Sequence, residues 1–172
     1  SHIIDAYNAV GIKDIVVVRG YKKAAVNLPN LTYVDNDDFA DTGELDSLLK
    51  ALRSRKGQAQ STVISYGDVL FNKYIPQSLC QETDDCVIFV DSNWQEQSSY
   101  ARLGGFTECT IPNSRRAFNA KIYLKQLGDN LPKESIHGVW MGFLKVSPSA
   151  TTLITDIIVE LLAKPANRKA GI

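Results

Sequence analysis

The segment Thr62-Val63-Ile64-Ser65-Tyr66-Gly67-Asp68-Val69-Leu70-Phe71 constrains the fold more than any other stretch of the chain. A β-branched, apolar run climbs to Ser65 and Tyr66, as a strand buried on both faces requires. It then breaks at Gly67 and delivers a carboxylate at Asp68. Ligands of open α/β sheets bind outside the carboxyl ends of the strands, so a strand ending this way faces a crevice. Glycine lets the backbone turn or approach a ligand closely, and a carboxylate there can hold a hard cation such as Mg²⁺. Gly-Asp is also ordinary turn chemistry. A solvated turn aspartate therefore stands beside the metal reading.

Two further runs have the same character. Asp14 to Tyr21 carries Ile15-Val16-Val17-Val18 and closes on Arg19-Gly20, and Asp85 to Asp91 ends on a carboxylate. Helical patterns separate them. Ile3, Ile4, Tyr7 and Val10 share one face before Gly11. Leu45, Leu48, Leu49 and Leu52 form a stripe from Glu44 to about Arg55, with Thr42 or Gly43 near the cap, and residues 74–82 form a shorter helix. Lys22 to Val26 fits one helical turn, and Leu31 to Val34 a short strand. Ile136 to Ser147 reads as a longer strand interrupted at Gly142. Pro148-Ser149 then opens a helix with an apolar stripe of Leu153, Ile154, Ile157, Ile158, Leu161 and Leu162. Strands alternating with helices imply an α/β chain: a Rossmann-like, mainly parallel sheet flanked by helices. Between Asn93 and Pro132 the pattern degrades, Gly104-Gly105 breaks the chain, and Ile122-Tyr123-Leu124 is at most a brief strand. The tail from Asn167 to Gly171 is expected to fray.

The chain has 172 residues, enough for one domain with a substantial core. Basic and acidic residues balance at 19 each, and no basic block marks a nucleic-acid surface. No apolar run is long enough to span a bilayer. Three cysteines with no C-x-x-C spacing read as incidental thiols of a reduced, cytoplasmic protein. A Ser-His-Asp order, a G-x-S-x-G elbow and a P-loop are all missing, so hydrolase and P-loop kinase chemistry find no support.

Three stretches, in order, carry a resemblance. They are Gly11-Ile12-Lys13-Asp14-Ile15-Val16-Val17-Val18-Arg19-Gly20-Tyr21, the segment Asn36 to Ala51 ending Ser47-Leu48-Leu49-Lys50-Ala51, and Ser65-Tyr66-Gly67-Asp68. Together they resemble the nucleotidyltransferases that activate sugar phosphates, choline phosphate and phosphonates. Tyr66-Gly67-Asp68-Val69-Leu70-Phe71, Val90-Asp91-Ser92-Asn93-Trp94 and Gly138-Val139-Trp140-Met141-Gly142-Phe143-Leu144-Lys145 look most like one subgroup. That subgroup is the cytidylyltransferase domains of phosphonate biosynthesis, some of them fused to a phosphoenolpyruvate mutase domain. The resemblance covers roughly Ile3 to Ala163.

The resemblance implies attack of a phosphate or phosphonate oxygen on the α-phosphorus of CTP, with Mg²⁺ and release of pyrophosphate. Asp68 matches the family's first metal carboxylate, and Ser47 matches the segment beside the nucleotide base and ribose. The family's Gly-rich loop, with an Arg and a later Pro-Lys, has no counterpart here, nor does its second metal carboxylate. A single domain lacking both parts is therefore expected, with little catalysis by these 172 residues alone. Two alternatives stand beside this one: a non-catalytic regulatory or assembly module built on the same fold, and a sugar-phosphate nucleotidyltransferase using UTP or GTP.

Other polar residues keep two readings each. Asp91 could line the acceptor pocket beside Trp94 or cap a turn. Trp140, with Tyr123 and Phe143, could shape that pocket or belong to the core. Asp35, Asp37, Asp38 and Asp41 form an acidic loop that is solvated or holds a cation. His137 is a phosphonate contact or a structural hydrogen-bonder. Lys121, Lys125 and Arg115-Arg116 could meet an anionic acceptor or be ordinary surface charge.

Overall fold

The computed structural model describes residues 2–96, 105–114 and 120–172. Helix α1 (His2–Ala9) ends just before Gly11, which takes φ +87°, a left-handed conformation that glycine adopts without steric cost. Strand β1 (Val16–Arg19) follows, then a short 3₁₀ turn (Lys23–Ala25), β2 (Thr32–Asp35) and helix α2 (Glu44–Ser54). The middle of the chain supplies β3 (Thr62–Ser65), α3 (Tyr74–Gln81) and β4 (Cys86–Asp91). Beyond it lie β5 (Phe106–Cys109), β6 (Leu124–Gly128), β7 (Gly138–Val146) and α4 (Pro148–Leu162). The fold is α/β, as the alternation of buried runs and helical stripes implies.

Strands β1 and β2 pair in parallel, with Val16 opposite Thr32 and Arg19 opposite Asp35. The larger sheet has five strands in the order β3-β7-β5-β6, with β4 also paired to β7. Here the sheet departs from a purely parallel plan. Strand β5 runs antiparallel to both β6 and β7, and a bulge interrupts the β5–β6 register between Glu108 and Cys109.

The chain divides into two compact units, with the division falling inside β3, β4 and β7. One comprises Ser1–Val63, Leu70–Cys86 and Lys145–Ile172, and the other Ile64–Val69 and Val87–Leu144. The core of the first is built by Leu48, Leu49 and Leu52 of α2, by Ile75 and Leu79 of α3, and by Val146 and Ile158. Tyr7 meets Phe71 edge-on at 5.4 Å in the same unit. Burying each of these side chains is worth about 1.5–3 kcal/mol. Lys145 is buried among them and donates from Nζ to the carbonyls of Glu82 and Asp84, at 3.0 and 2.7 Å. Its charge therefore stays solvated by backbone dipoles. In the second unit, Val139 and Phe143 are completely enclosed.

Two expectations need correction. The apolar stripe of α4 is not an inward face: Ile158 is buried, but Leu153 is 61 % exposed and Ile157 46 %. The inward row is set one residue away, at Thr151, Ile154, Thr155 and Ile158. Nor does the tail fray. Gly43 N donates to Arg168 O at 3.0 Å and Leu45 N to Ala170 O at 3.3 Å, so tail carbonyls satisfy orphan amides at the start of α2. A Cβ on Gly43, the N-cap residue, would lie 2.3 Å from Ala170 O, so glycine is what admits the tail. Among the described residues, no helix is long and apolar enough to cross a membrane.

Candidate functional site

Asp68 lies in an exposed turn directly after β3 and Tyr66. The aromatic ring before it explains how the turn is held. Gly142 has φ +76°, and a Cβ there would come within 2.5 Å of Tyr66 Cδ2. Tyr66 thus lies against bare β7 backbone, with its ring centre 5.8 Å from that of Trp140. The glycine that interrupts β7 in sequence is the seat of that ring. A glycine inside a strand signals such an approach, although the sequence does not say which residue approaches.

Trp140 is half-buried, and its indole N–H donates to Phe143 O at 2.8 Å. Its polar edge is therefore used within β7, leaving the ring as a flat apolar surface. Asp91 ends β4 and accepts from Asn93 N on Oδ1 at 2.8 Å, forming a turn closed by its own side chain. Strand β7 starts close beside it: a Cβ on Gly138 would lie 2.8 Å from Asp91 O. Asp68, Asp91 and Trp140 all belong to the second compact unit.

Ser47 belongs to the first unit, on α2. Its hydroxyl accepts from Asn36 Nδ2 at 3.0 Å. Asn36, directly after β2, is only 2 % exposed, and its amide also donates to Thr42 Oγ1 at 3.1 Å. Its oxygen accepts from Lys50 Nζ at 2.7 Å and from Asp38 N at 3.2 Å. Reading the sequence gave Asn36 no role. Nothing local marks it, because its partners lie up to 14 positions away.

The acidic loop is neither bare nor merely solvated. Asp35 receives Arg19 Nε at 2.8 Å and Lys23 Nζ at 3.3 Å, Asp37 receives Lys23 at 2.6 Å, and Asp38 receives Lys50 at 3.4 Å. Arg19 also lies 4.0 Å over the Tyr33 ring. Hydrogen bonding from Arg19, followed by that from Lys23, holds the Asp35 carboxyl below the usual carboxylate range against a small opposing effect of burial. His137 is a structural hydrogen-bonder: its Nδ1 accepts from Cys109 N at 3.1 Å. Lys125 is paired with Glu108 at 3.1 Å. Arg115-Arg116 and Gly104 lie outside the described residues. The three thiols are unpaired, and burial pushes each of them up.

The Mg²⁺ that the resemblance implies can be tested against these donors. Among the described residues, no three of His, Cys, Asp and Glu gather into a metal-binding group. A closed protein cage is therefore not what these residues offer. Asp68 instead supplies a single exposed oxygen donor. That fits Mg²⁺ of the kind held by one or two carboxylates together with substrate phosphates and water.

Residues 1–122 match the family model of the MobA-like NTP transferase domain. No curated protein sequence gives a significant match. Among solved structures, CTP:phosphocholine cytidylyltransferase from Streptococcus pneumoniae is similar over 98 % of this chain and 65 % of that one, at 13 % identity and a TM-score of 0.52. UDP-glucose pyrophosphorylase in complex with UDP-glucose is similar over 99 % and 70 %, at 12 % identity and a TM-score of 0.64. A third, described as a glucose-1-phosphate thymidylyltransferase from Bacillus anthracis, gives 97 % and 63 %, 16 % identity and a TM-score of 0.53. At these identities the likeness is one of fold, and the chain spans about two thirds of each structure's length. With a family model matched over more than half of its residues, the chain belongs to the MobA-like NTP transferase domain family.

Proposed function

We propose that this chain is a nucleotidyltransferase domain that transfers CMP from CTP to a phosphonate or phosphorylated small molecule, releasing pyrophosphate. An oxygen of the acceptor attacks the α-phosphorus, and the bond from that phosphorus to the bridging oxygen of pyrophosphate breaks. Mg²⁺, when bound, neutralises the phosphates and helps to align them. Asp68 is the metal carboxylate, Ser47 sits at the nucleotide, and Asp91 and Trp140 stand on the acceptor side. The observation that carries this reading is the turn after β3, where Gly67 exposes Asp68 at the end of a buried strand, in a chain of this family. The domain is a single functional piece of a cytoplasmic protein, with a phosphoenolpyruvate mutase domain as a candidate fused neighbour. It uses neither nucleic acid nor a membrane.

The test is pyrophosphate release by the full-length protein with CTP, UTP, GTP and dTTP, each offered a phosphonate, phosphocholine and glucose 1-phosphate. CTP with a phosphonate is the expected pair, and Asp68→Asn abolishes turnover while the protein stays folded. Near wild-type turnover in that variant removes Asp68 from the mechanism.

A sugar-phosphate nucleotidyltransferase is the second reading, favoured by the likeness to UDP-glucose pyrophosphorylase. UTP with glucose 1-phosphate as the best pair would establish it. Failure of all four triphosphates to bind in calorimetry points instead to a non-catalytic module.

A further inference from the structure

The buried amide of Asn36 has all four of its hydrogen-bonding positions filled, and that fixes which way it faces. Two donors, the Lys50 ammonium and the Asp38 backbone N–H, point at one end of it. Only the oxygen can sit there, because an NH₂ group facing two donors would leave every partner unsatisfied. Nδ2 must then face Thr42 Oγ1 and Ser47 Oγ, and each hydroxyl has to receive it on a lone pair. Each hydroxyl hydrogen is thereby turned elsewhere.

The two hydroxyls differ in where that hydrogen goes. Thr42 Oγ1 donates to Asp38 O at 2.9 Å, so its capacity is used within the fold. Ser47 finds no acceptor for its hydrogen among the described residues. That is unusual on a helix, where a serine can bond back to the carbonyl one turn earlier. Ser54, on the same helix, does bond backwards, to Ala51 O at 2.7 Å. Ser47 is thus a half-buried hydroxyl with its lone pair engaged and its proton unassigned.

We propose that Asn36 is a positioning residue that makes Ser47 a one-way hydrogen-bond donor, so that this point of the site selects an acceptor atom of the nucleotide and disfavours a donor. The inference rests on the reading of Ser47 as a nucleotide-side residue. The recognised atom is a carbonyl, hydroxyl or ether oxygen, or an unprotonated ring nitrogen. An exocyclic amine in the same place would meet the hydroxyl proton head-on and leave both groups unpaired.

The substitution Asn36→Asp tests this, because it preserves shape while reversing one end of the group. The carboxylate still accepts from Lys50 and from the Asp38 amide. In place of Nδ2, however, it presents an oxygen that captures the Ser47 proton. Dissociation constants for CTP with Mg²⁺ are measured by calorimetry on the full-length wild type, S47A, N36D and the double variant, with thermal melting as the folding control. S47A and N36D are each expected to weaken binding by about ten-fold, the size of one hydrogen bond. The double variant is expected to bind no more weakly than either one, because both changes remove the same donor.

If S47A binds like the wild type, or the wild type does not bind CTP, Ser47 is not at the nucleotide and both readings fall. If S47A weakens binding while N36D does not, or the two losses multiply, the positioning role falls and the nucleotide role of Ser47 stands. A second measurement needs no change at Asn36. On addition of CTP and Mg²⁺, the side-chain amide ¹⁵N resonance of Asn36 is expected to shift in the wild type and not in S47A, since donation by Ser47 polarises the bond it receives. No shift in the wild type overturns the proposal even if N36D fails to fold.

Discussion

Two strand ends in this chain carry a polar residue just beyond the last apolar one, and they use it in opposite ways. After β2, Asp35 and Asn36 are drawn into contacts with Arg19, Lys23, Thr42, Ser47 and Lys50, and Asn36 is almost fully buried. After β3, Gly67 turns the chain so that Asp68 stands exposed, held in place by the packing of Tyr66 on Gly142. The first end uses its polar groups to fix a loop to a helix. The second fixes its backbone with an aromatic ring and leaves the carboxylate to a ligand. A polar residue consumed by the fold and one kept for chemistry look the same in sequence. They separate only when their partners are counted.

The sharpest way to break this comparison is to substitute each end and measure both properties. Asp68→Asn should lower turnover of the full-length protein by about 10²-fold or more, as loss of a charge-stabilising contact does. Its unfolding free energy should change by less than about 0.5 kcal/mol, as for an exposed site. Asn36→Ala should do the reverse in the unfolding assay, costing about 2–3 kcal/mol, because it strands the Lys50 ammonium and two hydroxyls. A D68N variant that unfolds early, or an N36A variant as stable as the wild type, would dissolve the contrast.

A smaller effect is expected at the seat of Tyr66. Gly142→Ala forces a side chain into φ +76° and against the ring, costing about 1–3 kcal/mol in chemical denaturation. Displacing Tyr66 should also disturb the Asp68 turn, so turnover should fall more than D68N-like chemistry at a fixed backbone would require. Smaller still is a pH effect. The Asp35 carboxyl is depressed in the fold, so its stabilisation is complete above the ordinary aspartate range and is lost as pH falls through the lowered value. Urea unfolding of wild type and D35N should differ at pH 6 and converge below about pH 4. Last, Asp91→Asn keeps an oxygen for the Asn93 amide and should leave stability within about 0.5 kcal/mol. Any loss of acceptor affinity in that variant then reports on the charge of Asp91 rather than on its turn.

The elements that could be read from sequence are those whose signal is local. The runs around Val16 and Val87 carry their burial in their β-branched composition, and the Leu48-Leu49-Leu52 stripe carries its own periodicity. Strands β5 and β6 were not legible, because Phe-Thr-Glu-Cys and Leu-Lys-Gln-Leu-Gly are short, mixed segments whose strand character comes from antiparallel pairing. The stripe on α4 misled for the opposite reason. It is apolar on more than one side, so periodicity could not say which row faces inward. At the candidate site, Asp68 could be read because a glycine and a strand end flag it. The engagement of Ser47 could not, because hydrogen-bond closure through Asn36 depends on residues far apart in the chain.

The docked tail carries a mechanical consequence. The tail is anchored by its carbonyls to the first amides of α2, through Gly43 and Leu45, and Ile172 N reaches Glu44 Oε2 at 3.3 Å. A pull applied at Ile172 is therefore borne first by the opening turn of α2 and only afterwards by α4. The helix start that follows the Asn36 loop serves as the mooring point for the far end of the chain, so strain entering there arrives next to Ser47 before it reaches the rest of the core.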